Sequence, residues 1–256
     1  MKAFQAINID LNKREVISFV GGGGKTTTMF KLAEELREAG KKVLVTTTTA
    51  IFCPHKGIYD YFSLTNNEHP LKVLKKTKDA NIYILGREIT QENKLLGLQP
   101  EDVTMLYEEK EFDYILVEAD GSKRKPIKAP ADHEPVIPSN TAKTIGIIGL
   151  DALNKPINND WVHREKLFSE LTGKAIGDRI DIKTIVKLII DSQGLFKNTS
   201  PSSEKYLILN KADNTKRENL GKAIMEEFKK WETPLTAGII AAMEAEEEYI
   251  KWRGGF

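Results

Sequence analysis

The chain has 256 residues, 40% of them hydrophobic and 29% charged, which suits one large α/β domain or a domain with a modest insertion. A formal net charge of +1 gives no global attraction to nucleic acid or to an anionic membrane, so neither is expected as a partner. Cys53 has no second cysteine to pair with, the first ten residues carry no signal-peptide core, and no apolar run approaches a membrane span; a reducing cytoplasm is the expected location.

Residues 16–20 (Val-Ile-Ser-Phe-Val) predict a first strand that runs into four glycines, Lys25 and Thr26. A helix is predicted over 26–39, with Met29, Phe30, Leu32, Ala33 and Leu36 as its apolar face and Gly40 as its stop. Residues 42–48 predict a second strand ending in Thr46–Thr49, followed by a polar stretch to about position 70 and a strand over 81–86. Pro100 opens a helix to about Glu109, and 112–117 predict a buried strand that delivers Glu118 and Asp120. Strands are expected at 144–149 and 205–209, with helical patterns around 163–171 and 181–190 between them. A last helix over about 215–231 precedes a short apolar segment at 235–240.

Near-continuous apolar strands alternating with helices imply a mainly parallel sheet covered on both faces. The expected fold is an α/β P-loop NTPase three-layer sandwich: one domain over 1–256, with room for insertions near 120–140 and 151–200. Ligands of such sheets sit at the carboxyl ends of the strands, where every polar motif of this chain falls.

The first motif is the loop itself. Gly21, Gly22, Gly23 and Gly24 lack the Cβ atoms that would hold a backbone away from a polyphosphate, so their N–H groups can turn towards its oxygens. The helix start at Thr26 and Thr27 adds unpaired N–H groups and a positive dipole end. Lys25 can reach the β- and γ-phosphates, and the Thr26 hydroxyl can ligate Mg²⁺. The spacing is the short G-x-x-G-K-T-T, because Phe19 stands where the longer loop needs glycine. It resembles the loop of the dimerising branch of P-loop NTPases. That likeness makes a homodimer an expectation, but Val20 replaces the lysine that reaches a partner's nucleotide there.

The second motif, Asn210-Lys211-Ala212-Asp213, follows an apolar strand and matches the guanine-specificity pattern N-K-x-D. The Asp213 carboxylate can accept from guanine N1–H and the exocyclic amine, a donor pair adenine lacks. Lys211 can cover the base, and Asn210 can tie the segment to the phosphate loop. The alternative is a plain loop in which Asp213 caps the following helix.

The third motif spans Glu118 to Pro138. A carboxylate after a buried strand can hold Mg²⁺ or orient a water; Glu118 and Asp120 both qualify, and Gly121 can offer its N–H to a γ-phosphate. Lys123, Arg124, Lys125 and Lys128 form either an anion-binding loop or a solvated surface. Four prolines favour an extended, structured segment over a helix, with His133 as a lone exposed side chain. Thr46–Thr49 can face the same cleft or simply reflect β propensity. Cys53 and His55 alone do not complete a metal site.

Together G-G-G-G-K-T-T-T, V-T-T-T-T-A-I-F, the Val117–Pro138 block and L-N-K-A-D resemble the YqeC-type accessory proteins of selenium-dependent hydroxylases. The resemblance implies a maturation factor for bacterial selenium-dependent molybdenum hydroxylases, with the enzyme or its cofactor precursor as partner. More distantly, the loop and N-K-x-D resemble the metallochaperone GTPases that serve urease and hydrogenase, whose metal-binding Cys and His motifs this chain lacks. The expected activity is that of a Mg²⁺-dependent nucleotide-binding protein taking GTP, or ATP, and hydrolysing it as a switch. Its catalytic residues are Lys25, Glu118 and Asp120; Thr26 joins the two carboxylates at the metal. Two other classes stay open: a Mur-like ATP-dependent amide ligase, and a non-catalytic, nucleotide-gated module that binds a cofactor precursor.

Overall fold

Runs of Val, Ile and Leu at successive positions become strands buried on both faces. In the computed structural model, which describes residues 1–74, 79–231 and 235–256, the chain opens with α1 (Ala3–Ala6), β1 (Glu15–Gly21) and α2 (Lys25–Glu38). It continues through β2 (Val43–Thr47), β3 (Ala50–Phe52), β4 (Tyr61–Leu64), α3 (Pro70–Val73) and β5 (Ile82–Gly86). Next come β6 (Glu88–Ile89), β7 (Lys94–Leu96), α4 (Pro100–Glu108), β8 (Tyr114–Glu118), β9 (Ile127–Lys128) and β10 (Thr141–Gly149). The last part holds β11 (Val162–His163), α5 (Glu165–Thr172), α6 (Ile182–Ile190), β12 (Glu204–Asn210), α7 (Thr215–Phe228), β13 (Leu235–Ala241) and β14 (Ile250–Gly255).

Nine of the described strands form one sheet in the order β14-β13-β12-β10-β1-β8-β2-β5-β4. All neighbours are parallel except β13 and the edge strand β14. Alternate residues feed opposite cores. Ile17 and Phe19 of β1 meet Met29, Leu32 and Leu36 of α2 on one face, beside α1. Val20, Leu207 and Leu209 pack with α6 and α7 on the other, where Leu44, Ile115 and Val117 meet Val103 and Leu106 of α4. This is the expected three-layer α/β sandwich with a mainly parallel sheet, and β1, at its centre, carries the glycine loop at its carboxyl end.

The predicted elements lie close to the observed ones, with informative differences. The strand expected at 144–149 begins at Thr141, and the apolar segment at 235–240 is strand β13. The stretch after Thr49, read as polar with no element assigned, contains β3 and β4, and β3 joins β7 and β6 in a small antiparallel sheet. No helix among the described residues is long and apolar enough to cross a membrane.

Candidate functional site

β1 and β8 are adjacent and parallel, with Phe19 opposite Glu118, so the loop after β1 and the carboxylates after β8 emerge side by side. The loop turns between two backbones. A Cβ on Gly23, whose φ is +80°, would stand 2.2 Å from the Gly149 nitrogen. Glycine is therefore required here by packing as well as by any ligand.

The amide donors differ from the sequence expectation. Gly21 N–H donates to both oxygens of Asp120 at 3.2 and 3.1 Å, Gly22 N–H to the Ile147 carbonyl, and Gly23 N–H to the Lys125 carbonyl. Those three groups are committed to the protein's own loop. Gly24 caps α2 without a side chain, and Thr28 N–H closes the first helical bond onto its carbonyl. The N–H groups of Gly24, Lys25, Thr26 and Thr27 have no partner among the described residues, as expected at a helix N-terminus. They are the donors available to an anion.

Lys25 is buried, and its ammonium donates to the Gly21 carbonyl at 2.7 Å while lying 3.2 Å from Asp120 and 3.5 Å from Glu118. Burial works against its charge, but Asp120 and Glu118 outweigh that and hold its pKa above the ordinary lysine value. Burial raises the Glu118 pKa, with Asp120 adding to the rise and Lys25 opposing it. Thr26 Oγ1 donates to Glu118 Oε2 at 2.7 Å. A hydroxyl and a carboxylate that close suit Mg²⁺, which binds through few protein oxygens and keeps phosphate and water for the rest.

Behind this pair a chain of charges runs away from the loop. Lys128, buried on β9, lies 3.1 Å from Asp120 Oδ2, donates to the Gly121 carbonyl at 2.7 Å and to Glu134 Oε2 at 2.5 Å. Arg164 grips both oxygens of Glu134, at 2.5 and 2.9 Å. Burial opposes the Glu134 charge, yet Arg164 and Lys128 hold its pKa down at about 2. His163, next to Arg164, is pushed down to about 4 by burial and by the Arg164 and Lys128 charges, so its imidazole is neutral. Sequence reading assigned no role to Glu134, His163 or Arg164. The pairing of β9 with β11, two-residue strands with no periodic signal, sets His163 and Arg164 beside Lys128, and Glu134 joins them through its ion pairs.

A cleft of about 830 Å³ opens here, lined by Gly23–Thr27, Glu118, Gly121, Lys123, Arg124, Glu134, His163, Arg164 and Lys211, with Thr49–Phe52 along one side. A family model described as YqeC protein matches residues 17–166. The chain belongs to the YqeC family. It is also similar to a protein of Escherichia coli (strain K12) named Uncharacterized protein YqeC, at 33% identity over 219 residues, 80% of each chain. The segment matched by the YqeC model holds the loop, both carboxylates and the Lys128–Glu134–Arg164 chain; β12 and Asp213 lie beyond it.

In this YqeC-family chain β12 nevertheless reaches the loop. Asn210 Nδ2 donates to the Gly23 carbonyl at 2.9 Å, and its Oδ1 accepts from Met243 N–H at 3.0 Å, joining the loop to the turn after β13. Lys211, in a left-handed conformation, donates to Asp151 at 2.8 Å and lines the cleft. Asp213 is exposed, its Oδ2 accepts from Arg217 at 2.7 Å, and it does not line the cleft. It does not cap α7 either, because Asn214 does so by accepting from Arg217 N–H.

The threonines are mostly engaged elsewhere. Thr46 donates to the Leu85 carbonyl, Thr47 to the Glu118 carbonyl and Thr48 to the Val136 carbonyl, leaving only Thr49 of the four on the cleft. Of the basic stretch, Lys123 and Arg124 face the cleft and Lys128 is buried in the ion chain. Cys53 and His55 gain no metal-holding company: no group of three or more His, Cys, Asp or Glu able to hold a metal forms among the described residues.

Proposed function

We propose that the protein binds a Mg²⁺–nucleoside triphosphate at its glycine loop, prefers GTP, and uses slow hydrolysis as a switch while assisting maturation of selenium-dependent molybdenum hydroxylases. The observation that carries the nucleotide reading is a convergence. Four unpartnered N–H groups, Lys25, Thr26 and a strand-end carboxylate share one cleft. The maturation role rests on the family resemblance of the Glu118–Pro138 block.

In this reading the Gly24–Thr27 amides cradle the phosphates and Lys25 swings from Asp120 and Glu118 onto the β,γ-bridge. Thr26 and Glu118, or Asp120, hold Mg²⁺, which supplies positive charge against the developing phosphate charge. Gly121 lines the cleft and its N–H has no partner among the described residues, which suits a γ-phosphate oxygen. Asn210 keeps the N-K-x-D segment beside the loop, so Lys211 can cover a base whose edge meets Asp213 once Arg217 shares that carboxylate. Hydrogen bonds to a charged group are worth roughly 1.5–3 kcal/mol each, enough for two of them to favour guanine strongly.

The test is thermal shift and phosphate release across GTP, ATP and xanthosine triphosphate, with and without Mg²⁺. Stabilisation by GTP over ATP, with release that requires Mg²⁺ and Lys25, is the expected result. Asp213→Asn should weaken GTP and admit xanthosine triphosphate; unchanged GTP binding would remove the guanine assignment. Indifference to every nucleotide would remove the whole reading. The position of Asp213 outside the cleft keeps one rival in view: ATP preference with acyl-phosphate formation would point to the amide ligase.

A further inference from the structure

The same cleft is also lined, on a wall formed by β3, the 123–124 segment and β11, by residues that the nucleotide reading leaves unused. Basic residues with left-handed backbone are concentrated there. Among the described residues the positive-φ lysines and arginines are Lys110, Lys123, Arg124, Arg164 and Lys211, and all but Lys110 line this cleft. Long side chains seldom adopt that conformation, and where they do the strain tends to mark a functional site.

Two of the four are already neutralised: Arg164 by Glu134 and Lys211 by Asp151. Lys123 and Arg124 are exposed and have no carboxylate partner among the described residues. The Arg124 guanidinium lies 4.0 Å from the ring centroid of Phe52, an aromatic side chain left 47% exposed on β3. Ala50 and Phe52, alternate residues of β3, line the cleft with apolar side chains, and the neutral His163 lines it too. The wall therefore combines two unpaired cations, a cation–π pair, apolar side chains of β3 and a neutral imidazole able to donate and accept.

We infer that this wall is a second ligand site, for a phosphomonoester carrying a flat ring. Lys123 and Arg124 take the phosphate, the ring stacks on the Phe52–Arg124 layer, and His163 hydrogen-bonds a polar edge. The site goes beyond the nucleotide reading and does not require it, because none of Phe52, Lys123, Arg124 and His163 belongs to the phosphate loop. It makes the protein a receptor for a second organic phosphate beside its first.

Phenyl phosphate and riboflavin 5′-phosphate, with pyrophosphate as a ringless control, would be titrated by calorimetry into the full chain and its variants. Both ring phosphates should saturate the wild type, and Lys25→Met should leave that binding within about threefold. The double variant Lys123→Ala/Arg124→Ala should weaken it at least roughly tenfold. Phe52→Ala should weaken the ring phosphates while sparing pyrophosphate. Thermal unfolding of each variant checks that the fold is intact, both for the exposed Phe52, Lys123 and Arg124 and for the buried Lys25, whose removal leaves Asp120 and Glu118 without its charge.

Loss of ring-phosphate binding in Lys25→Met with retention in the double variant would assign the phosphate to the loop and overturn the proposal. Absence of saturable binding by either ring phosphate would overturn it too, leaving Lys123 and Arg124 as solvated surface. A parallel GTP titration separates the two readings, since its failure removes the nucleotide assignment alone.

Discussion

At the residue scale, two glycines of the site face opposite constraints. A methyl group on Gly23 would stand 2.2 Å from one backbone nitrogen and 2.8 Å from the Pro126 carbonyl oxygen, on a residue already at positive φ. Neither neighbour is a flexible side-chain end, so Gly23→Ala should cost about 2–4 kcal/mol and disrupt the loop. Gly121 has open space where its Cβ would go and no positive φ, so Gly121→Ala should stay within about 0.5 kcal/mol of wild type. It also keeps the N–H proposed for a γ-phosphate. Urea denaturation of the two variants checks this. Equal losses would mean that the loop is not held between Gly149 and the 125–127 segment.

At the element scale, Asn210 is the join between β12, the glycine loop and the turn after β13. Asn210→Ala leaves the Gly23 carbonyl and the Met243 N–H without their partner, a loss of about 2–3 kcal/mol. Denaturant unfolding reads it, and a loss below about 0.5 kcal/mol would show that solvent replaces the asparagine. The tie from Asn210 to the glycine loop was expected from the N-K-x-D pattern, whereas its bond to the Met243 N–H, after a separate strand, left no mark in the sequence. The central strands were legible because burial on both faces writes Val, Ile and Leu at successive positions, as in Ile115, Leu116 and Val117. β4, at the sheet's edge, is only partly buried along Tyr61–Leu64, and β14, at the opposite edge, carries Lys251 and Arg253. Neither writes a continuous apolar run, so neither was visible. The threonines at the end of β2 left two readings open, because hydrogen bonds to neighbouring carbonyls leave no sequence trace distinct from a cleft-facing role. The loop's amide partners were equally hidden: that Asp120 takes the Gly21 N–H depends on how far β8 extends beside β1.

At the scale of the whole molecule, a largely buried series of charges links the glycine loop to the β9–β11 side of the cleft. Lys25, Asp120, Lys128, Glu134 and Arg164 form an unbroken series of ion pairs. Its members are drawn from the start of α2, the segments after β8 and β9, β9 itself and the residue before α5. Glu134 is the pivot, because among the described residues it alone pairs with both Lys128 and Arg164. Its pKa falls from an ordinary 4.5 to about 2 in the folded protein. A carboxylate depressed in this way contributes stability that is fully present above its unfolded value and is lost as pH falls through the folded one. Protonation between about pH 4.5 and about pH 2 therefore removes about 3 kcal/mol of support from this site. Glu134→Gln removes the same charge at every pH and leaves Lys128 and Arg164 facing an amide. At neutral pH the variant should be less stable than wild type by about 3 kcal/mol. The gap should narrow steadily on acidification and nearly close at the acid end of that window. Guanidinium unfolding of both proteins across the pH series measures it. A gap that stays constant with pH would show that the glutamine acts through packing, and that the Glu134 charge does not hold the loop and the β9–β11 side of the cleft together.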